Sequence, residues 1–221
     1  PHISREEGNY LLETINHWFP EAGLNQADVV STMAGVRPVV DTGKENPSKE
    51  SREEALWTDD GLVTISGGKL TTFPLMARKT LNAAKRWIKD QSGETLAAEE
   101  EPDGHSLPPE INPSLMGRFG RDLEKLLDGS SSEELQPISS SSFSVAELRW
   151  SARHEQVVHL DDLFLRRTRL GVVLPEGGIE QIRNLEDPLR RDLGWSTDQW
   201  NQELDNYREL WTNSYSPKVI E

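Results

Sequence analysis

The 221-residue chain contains no cysteine. That absence removes disulfides, thiolate metal ligands, iron–sulfur ligation and thiol nucleophiles in one step. Cations are scarce beside anions: 24 Lys and Arg stand against 38 Asp and Glu, for a formal net charge of −14. Such a chain lacks the basic footprint that tracks nucleic-acid phosphates, and the same sum argues against attraction to an anionic bilayer as a whole-molecule property while leaving room for a local basic strip. No apolar run approaches the ~20 residues of a membrane-spanning helix. The five His residues show no metal-ligand spacing. The start, Pro1 to Glu6, has neither the basic n-region nor the apolar h-region of a secretory signal, which favours a cytoplasmic location. It also lacks an initiator Met, as either Met removal before Pro or excision from a longer protein would leave it.

What is present suits a folded chain on the polar side of globular, with 34% hydrophobic residues and a mean hydropathy of −0.65. Its length fits one domain or two small ones. Tyr10, Leu11, Ile15, Trp18 and Phe19 recur at helical spacing behind a Ser4/Glu7 capping box, and this predicts a helix over 4–19. The β-branched run over 28–40, with Gly35 and Pro38, predicts a strand that bends or ends near Pro38. Ala55 to Thr58, Asp59-Asp60-Gly61 and Leu62 to Ser66 read as strand, turn and strand. Two glycines then lead into an amphipathic segment with Leu75, Met76, Leu81, Ala84, Trp87 and Ile88. Residues 91–113 have no periodicity and read as a linker. Beyond them come a short helix over 118–127, Ser-rich loops, and helices over 145–154, 160–170, 179–193 and 200–211, the last capped by Ser196 or Thr197. Trp150, Trp195, Trp200 and Trp211 read as core anchors of this all-α unit. The fold class is therefore α+β: strands and a helix first, a small all-α domain after them.

Two constellations carry chemistry. In Gly67-Gly68-Lys69-Leu70-Thr71-Thr72, two residues without Cβ allow close backbone approach, helix-start amides favour an anion, and Lys69 adds a positive charge. A glycine turn followed by a Thr-capped helix accounts for the same string, and the P-loop spacing is absent. In Gly35-Val36-Arg37-Pro38, a guanidinium beside a fixed backbone can grip a carboxylate or phosphate in bidentate fashion, or make a surface ion pair. Arg52 is a weaker candidate. Asp161-Asp162 reads as helix capping.

Taken in order, Tyr10-Leu11-Leu12, Gly35-Val36-Arg37-Pro38, Ser51-Arg52 and Gly67 to Phe73 with Met76-Ala77 resemble the C-terminal half of the FAD-dependent glycerol-3-phosphate dehydrogenases. Glu147-Leu148-Arg149, His154-Glu155, Asp161-Asp162 and Arg166 to Gly171 resemble the helical C-terminal domain of the same family. The resemblance implies oxidation of sn-glycerol 3-phosphate to dihydroxyacetone phosphate, with electrons passing through FAD to a quinone. In the related alpha-glycerophosphate oxidases they pass to O₂. Carried over by motif, Arg37, Arg52 and Lys69 would bind substrate, and Gly67, Gly68, Lys69, Leu70, Thr71 and Thr72 would lie along the flavin. No catalytic residue and no metal ligand falls in this chain by that carry-over.

The implied layout is the C-terminal part of a FAD/substrate domain over 1–90, a linker over 91–113 and a helical domain over 114–221. The resemblance also implies peripheral association of the parent enzyme with the inner face of the membrane, and it leaves a homo-oligomer open. Pro74 stands where the family commonly has Arg, and no G-x-G-x-x-G follows a strand anywhere in the chain. The expectation is thus an excised C-terminal portion, inactive alone. A non-catalytic acidic helical interaction module is the reading from another class.

Overall fold

Ser4 opens the first helix by the capping box its sequence encodes. Its Oγ accepts from Glu7 N–H at 3.2 Å, and Glu7 Oε2 accepts from Ser4 N–H at 2.9 Å. This computed structural model describes residues 1–36, 54–85 and 114–220. In chain order the first helix, α1, is Arg5–Trp18. Asn16 then clasps the turn after it, donating to Leu24 O at 2.7 Å and accepting from Leu24 N–H at 2.8 Å. Strands β1 (Ala55–Asp59) and β2 (Leu62–Ser66) pair antiparallel, Ala55 opposite Ser66 and Asp59 opposite Leu62. The two turn residues, Asp60 and Gly61, have φ of +36° and +90°, the mirror-image turn whose twist matches a hairpin. Helix α2 follows at Phe73–Ala84. The remaining helices are α3 (Ser114–Phe119), α4 (Leu123–Asp128), α5 (Val145–His154), α6 (Leu170–Val173), α7 (Ile179–Asn184), α8 (Glu186–Leu193) and α9 (Thr197–Ser214). The α+β class holds, with the sheet confined to one hairpin among the described residues.

By contacts the chain forms two units. One joins Pro1–Gly35 with Gly104–Glu221, and the other is Val36–Asp103. The sequence layout of 1–90 and 114–221 groups the first 35 residues differently; here they lie with the helices, and long-range hydrogen bonds are among the contacts that join them. Thr32 N–H donates to Tyr215 O at 2.7 Å, and Ser31 Oγ donates to Val172 O at 2.6 Å.

The helical unit has two apolar cores, and α5 serves both. Ala146 and Trp150, four residues apart, pack with Leu115, Leu123 and Leu126. Leu148, on another face, joins Leu160, Leu163, Phe164 and Leu170 in the larger core. Helix α9 reaches that core through Trp200, Leu204, Tyr207 and Trp211, the 4-3-4 spacing of one helical stripe. Trp195 is partly buried against it, so all four tryptophans act as core anchors.

Several expected elements are corrected. The described part of the predicted strand, 28–36, contains no strand: Asp28 ends a 3₁₀ turn, and Ser31 and Thr32 bond to carbonyls at helix ends instead of to a neighbouring strand. Residues 37–40, the linker 91–113, and Trp87 and Ile88 lie outside the described residues. The single helix over 118–127 is two, because Gly120 at φ +49° interrupts it. The helix over 179–193 breaks at Leu185, since Pro188 has no N–H to offer Asn184 O and its ring would strike that carbonyl. The helix over 160–170 is a π-helical turn at Asp162–Arg167. Thr168 closes it by donating its N–H at 3.1 Å and its Oγ1 at 2.8 Å to Leu163 O. The Ser-rich loops form bonded turns, in which Ser130 Oγ donates to Leu126 O at 2.6 Å and Ser131 and Glu134 cap one another.

Candidate functional site

β2 delivers the chain into two consecutive left-handed residues, Gly67 at φ +78° and Gly68 at φ +86°. Side chains rarely tolerate this conformation, so both positions call for glycine. At Gly68 a Cβ would also fall on the Met76 Sδ and Cε atoms; the missing side chain lets α2 lie close to the turn. Lys69 returns to extended backbone, and Leu70–Thr72 form a 3₁₀ turn that runs into α2. Thr72 fixes that turn. Its N–H donates to Lys69 O at 2.9 Å, as does its Oγ1 at 3.0 Å, and Oγ1 lies 3.7 Å from Met76 Sδ. Pro74 occupies the first turn of α2, where its missing N–H costs no hydrogen bond.

An ion pair between Lys79 and Glu54 ties α2 to the start of β1. The bond to Lys79 holds the Glu54 carboxyl below the usual carboxylate range. Sequence reasoning missed this pair because its members are 25 residues apart. The result is a hairpin, a glycine turn and a helix start that leave Lys69, Leu70 and Thr71 exposed. The exposed Lys69 ammonium can receive an anion, but the expected helix-start amides are largely used by the turn itself: Lys69 N–H donates to Thr72 Oγ1 at 3.4 Å, Phe73 N–H to Leu70 O, and Pro74 has no N–H. Of the substrate-binding candidates the described residues include Lys69 alone; Arg37 and Arg52 lie outside them.

The motif residues of the helical unit are structural. Glu147 is buried. Its Oε2 accepts from Ser144 N–H at 2.8 Å, and its Oε1 lies 2.6 Å from Arg118 Nη2. That guanidinium stacks over the Phe143 ring, 4.7 Å from its centre. Arg149 bridges Asp192, at 2.6 Å through Nε, and Glu134, at 2.5 Å through Nη1, and these bonds push its pKa up. His154 packs against Trp150 with the rings tilted by 37° and their centres 4.1 Å apart. Asp162 Oδ2 accepts from Val158 and His159 N–H at 3.1 and 2.9 Å, the capping role expected of it, and Arg166 pairs with both Asp161 and Asp162.

The fold and turn define an α+β chain with a double-glycine, lysine-bearing helix entry, continued in sequence by an all-helical unit. A family model for the C-terminal domain of alpha-glycerophosphate oxidase matches residues 63–200, and the chain belongs to that family. Glycerol-3-phosphate dehydrogenase 2 of Mycobacterium bovis is 27% identical over 228 residues, covering 94% of this chain and 39% of that protein. Aerobic glycerol-3-phosphate dehydrogenase of Bacillus subtilis is 36% identical over 92 residues, 41% of this chain and 17% of that protein. The enzyme of the same name from Staphylococcus aureus is 25% identical over 76% of this chain and 35% of its own length. The chain thus spans about two fifths or less of these relatives. No solved structure matches it. Among the described residues no helix is long and apolar enough to cross a membrane.

Proposed function

We propose that this chain is the C-terminal part of a FAD-dependent enzyme that oxidises sn-glycerol 3-phosphate to dihydroxyacetone phosphate and passes the electrons to a quinone. The carrying observation is the turn at 67–72, which lies inside the family match and couples two left-handed glycines to an exposed lysine. The fit to a flavin rests on that turn: the left-handed glycines keep side chains off the backbone, and 69–71 remain open to an anionic or dipolar group. A flavin held there would supply the acceptor for the hydride that leaves the secondary carbinol carbon of the substrate.

The chain's own residues bind and orient. Lys69 supplies a compact charge, and Arg37 and Arg52 supply planar forks for the phosphate oxygens. Fixed cations at a dianionic substrate also favour the oxygen that gains charge as the carbonyl forms. The hydroxyl proton leaves to a base in the part of the enzyme that precedes this chain. The enzyme works on the cytoplasmic side, peripheral to the membrane.

The test is made on the protein encoded by the longer reading frame and on the 221-residue chain. The longer protein is expected to reduce a soluble quinone in the presence of glycerol 3-phosphate, and Lys69→Ala to raise KM at least tenfold. The 221-residue chain is expected to leave flavin fluorescence unchanged. Tight FAD binding by the short chain would overturn its reading as a portion of the enzyme. An unchanged KM in Lys69→Ala would remove Lys69 from the substrate site. Equal turnover with O₂ and no added quinone would transfer the enzyme to the oxidases.

A further inference from the structure

The helical unit carries a half-open cavity of about 660 Å³, within the roughly 300–1,000 Å³ of small-molecule pockets. Its apolar wall includes Val29, Ile179 and Trp211, and its charged lining comprises Arg183, Arg208, Lys218 and a single carboxylate, Glu176. The wall is preformed. Trp211 Nε1 donates to Gly171 O at 2.7 Å, and its ring lies against Gly177, where a Cβ would stand 2.7 Å from Cδ1. Tyr207 Oη donates to Gly177 O at 2.6 Å and pins the same turn from the other side.

The cations, by contrast, are little used by the protein. Neither the Arg183 guanidinium nor the Lys218 ammonium has a hydrogen bond or ion pair among the described residues. Arg208 makes one exposed pair with Asp205 at 3.2 Å, an interaction of little worth in water. In a chain of net charge −14, three cations around one apolar concavity form a local reversal of sign.

We propose that this cavity binds a small, soluble organic anion with an apolar body. The head, a carboxylate, sulfonate or phosphate monoester, lies with Arg183, Arg208 and Lys218, and the body lies against Trp211 and Ile179. A neutral apolar molecule leaves the cations unanswered, and a bare inorganic anion leaves the wall unused. Both classes therefore bind more weakly.

Decanoate, 1-decanol and inorganic phosphate serve as probes of the full chain, read by the indole N–H resonance of Trp211 in ¹⁵N-labelled protein. Decanoate is expected to shift that resonance saturably, 1-decanol at least tenfold more weakly, and phosphate not at all. The double variant Arg183→Gln/Arg208→Gln is expected to weaken decanoate at least tenfold with an unchanged thermal melt, while Arg153→Gln binds as the parent does. Equal affinities for decanoate and 1-decanol, an unshifted Trp211 resonance or an unaffected double variant would each overturn the proposal. So would binding to phosphatidylcholine–phosphatidylglycerol vesicles that depends on Arg183 and Arg208 while decanoate fails, since the head group would then belong to a lipid.

Discussion

The two units use the same kinds of residue to opposite ends. In the helical unit Phe164, Leu163, Leu170 and Trp200 are wholly buried, each worth roughly 1.5–3 kcal/mol of transfer free energy. In the hairpin unit no described side chain is buried, and Trp57, Leu62, Phe73 and Leu75 stand about half exposed or more. What organises that unit is a backbone ladder, two left-handed glycines and the Lys79–Glu54 pair. Burial organises one unit; local geometry organises the described part of the other, a preformed turn whose apolar side chains stay exposed.

Paired substitutions break or sharpen this contrast. Phe164→Ala is expected to cost about 3–5 kcal/mol in urea denaturation, whereas Phe73→Ala should stay within about 0.5 kcal/mol; equal losses would erase the distinction. Gly177→Ala combines a left-handed residue, φ +70°, with a clash on the pinned Trp211 ring, for a loss of about 3 kcal/mol. Gly68→Ala meets only the end of the flexible Met76 side chain, so roughly 1 kcal/mol of backbone strain should remain. Next comes Glu147→Ala, which removes a buried cap and the partner of Arg118 and should cost about 2 kcal/mol. Glu147→Gln keeps the capping geometry and should recover about half of that, separating cap from charge. A Glu147→Gln variant as damaged as the alanine would place the whole effect in the ion pair.

Local signals were legible in the sequence, and they are the ones realised locally. The Ser4/Glu7 box, the Asp60-Gly61 hairpin, the Gly67-Gly68 helix entry and the Ser196 cap each need only residues within a few positions. The breaks at Gly120 and Pro188 were also written there, yet the apolar period running through them was the louder signal. The extended 28–36 segment was misjudged because β-branched residues favour extended backbone without specifying a strand partner, and its partners, Val172 and Tyr215, are over 140 residues away. The cavity between 27–30 and 175–218 was invisible for the same reason: its cations are far apart in sequence and share no motif. The site turn was readable because glycine and lysine carry their chemistry in order, while the Lys79–Glu54 strut that steadies it depends on tertiary approach.

The smallest expected effect is one of pH, and it again divides the units. His159 Nδ1 lies 3.1 and 3.2 Å from the two oxygens of Glu203, which also accepts Leu160 N–H at 3.2 Å. The hydrogen bond to Glu203, then its charge, raises the His159 pKa, with Asp161 and Asp162 adding in the same direction against a small cost of burial. A raised folded-state pKa means that the stabilisation is complete below the unfolded value of ~6.5 and fades as pH climbs through the folded value. The ring is 58% exposed, so solvent screening keeps the effect small. The melting temperature of the parent should therefore exceed that of His159→Gln at about pH 5.5, with the gap closing by about pH 8.5. A gap that widened with pH would show that the neutral imidazole makes the contact. The hairpin unit has no described histidine. Amide exchange in β1 and β2, corrected for its intrinsic pH dependence, should consequently be flat across the interval in which the amides around Leu160 lose protection.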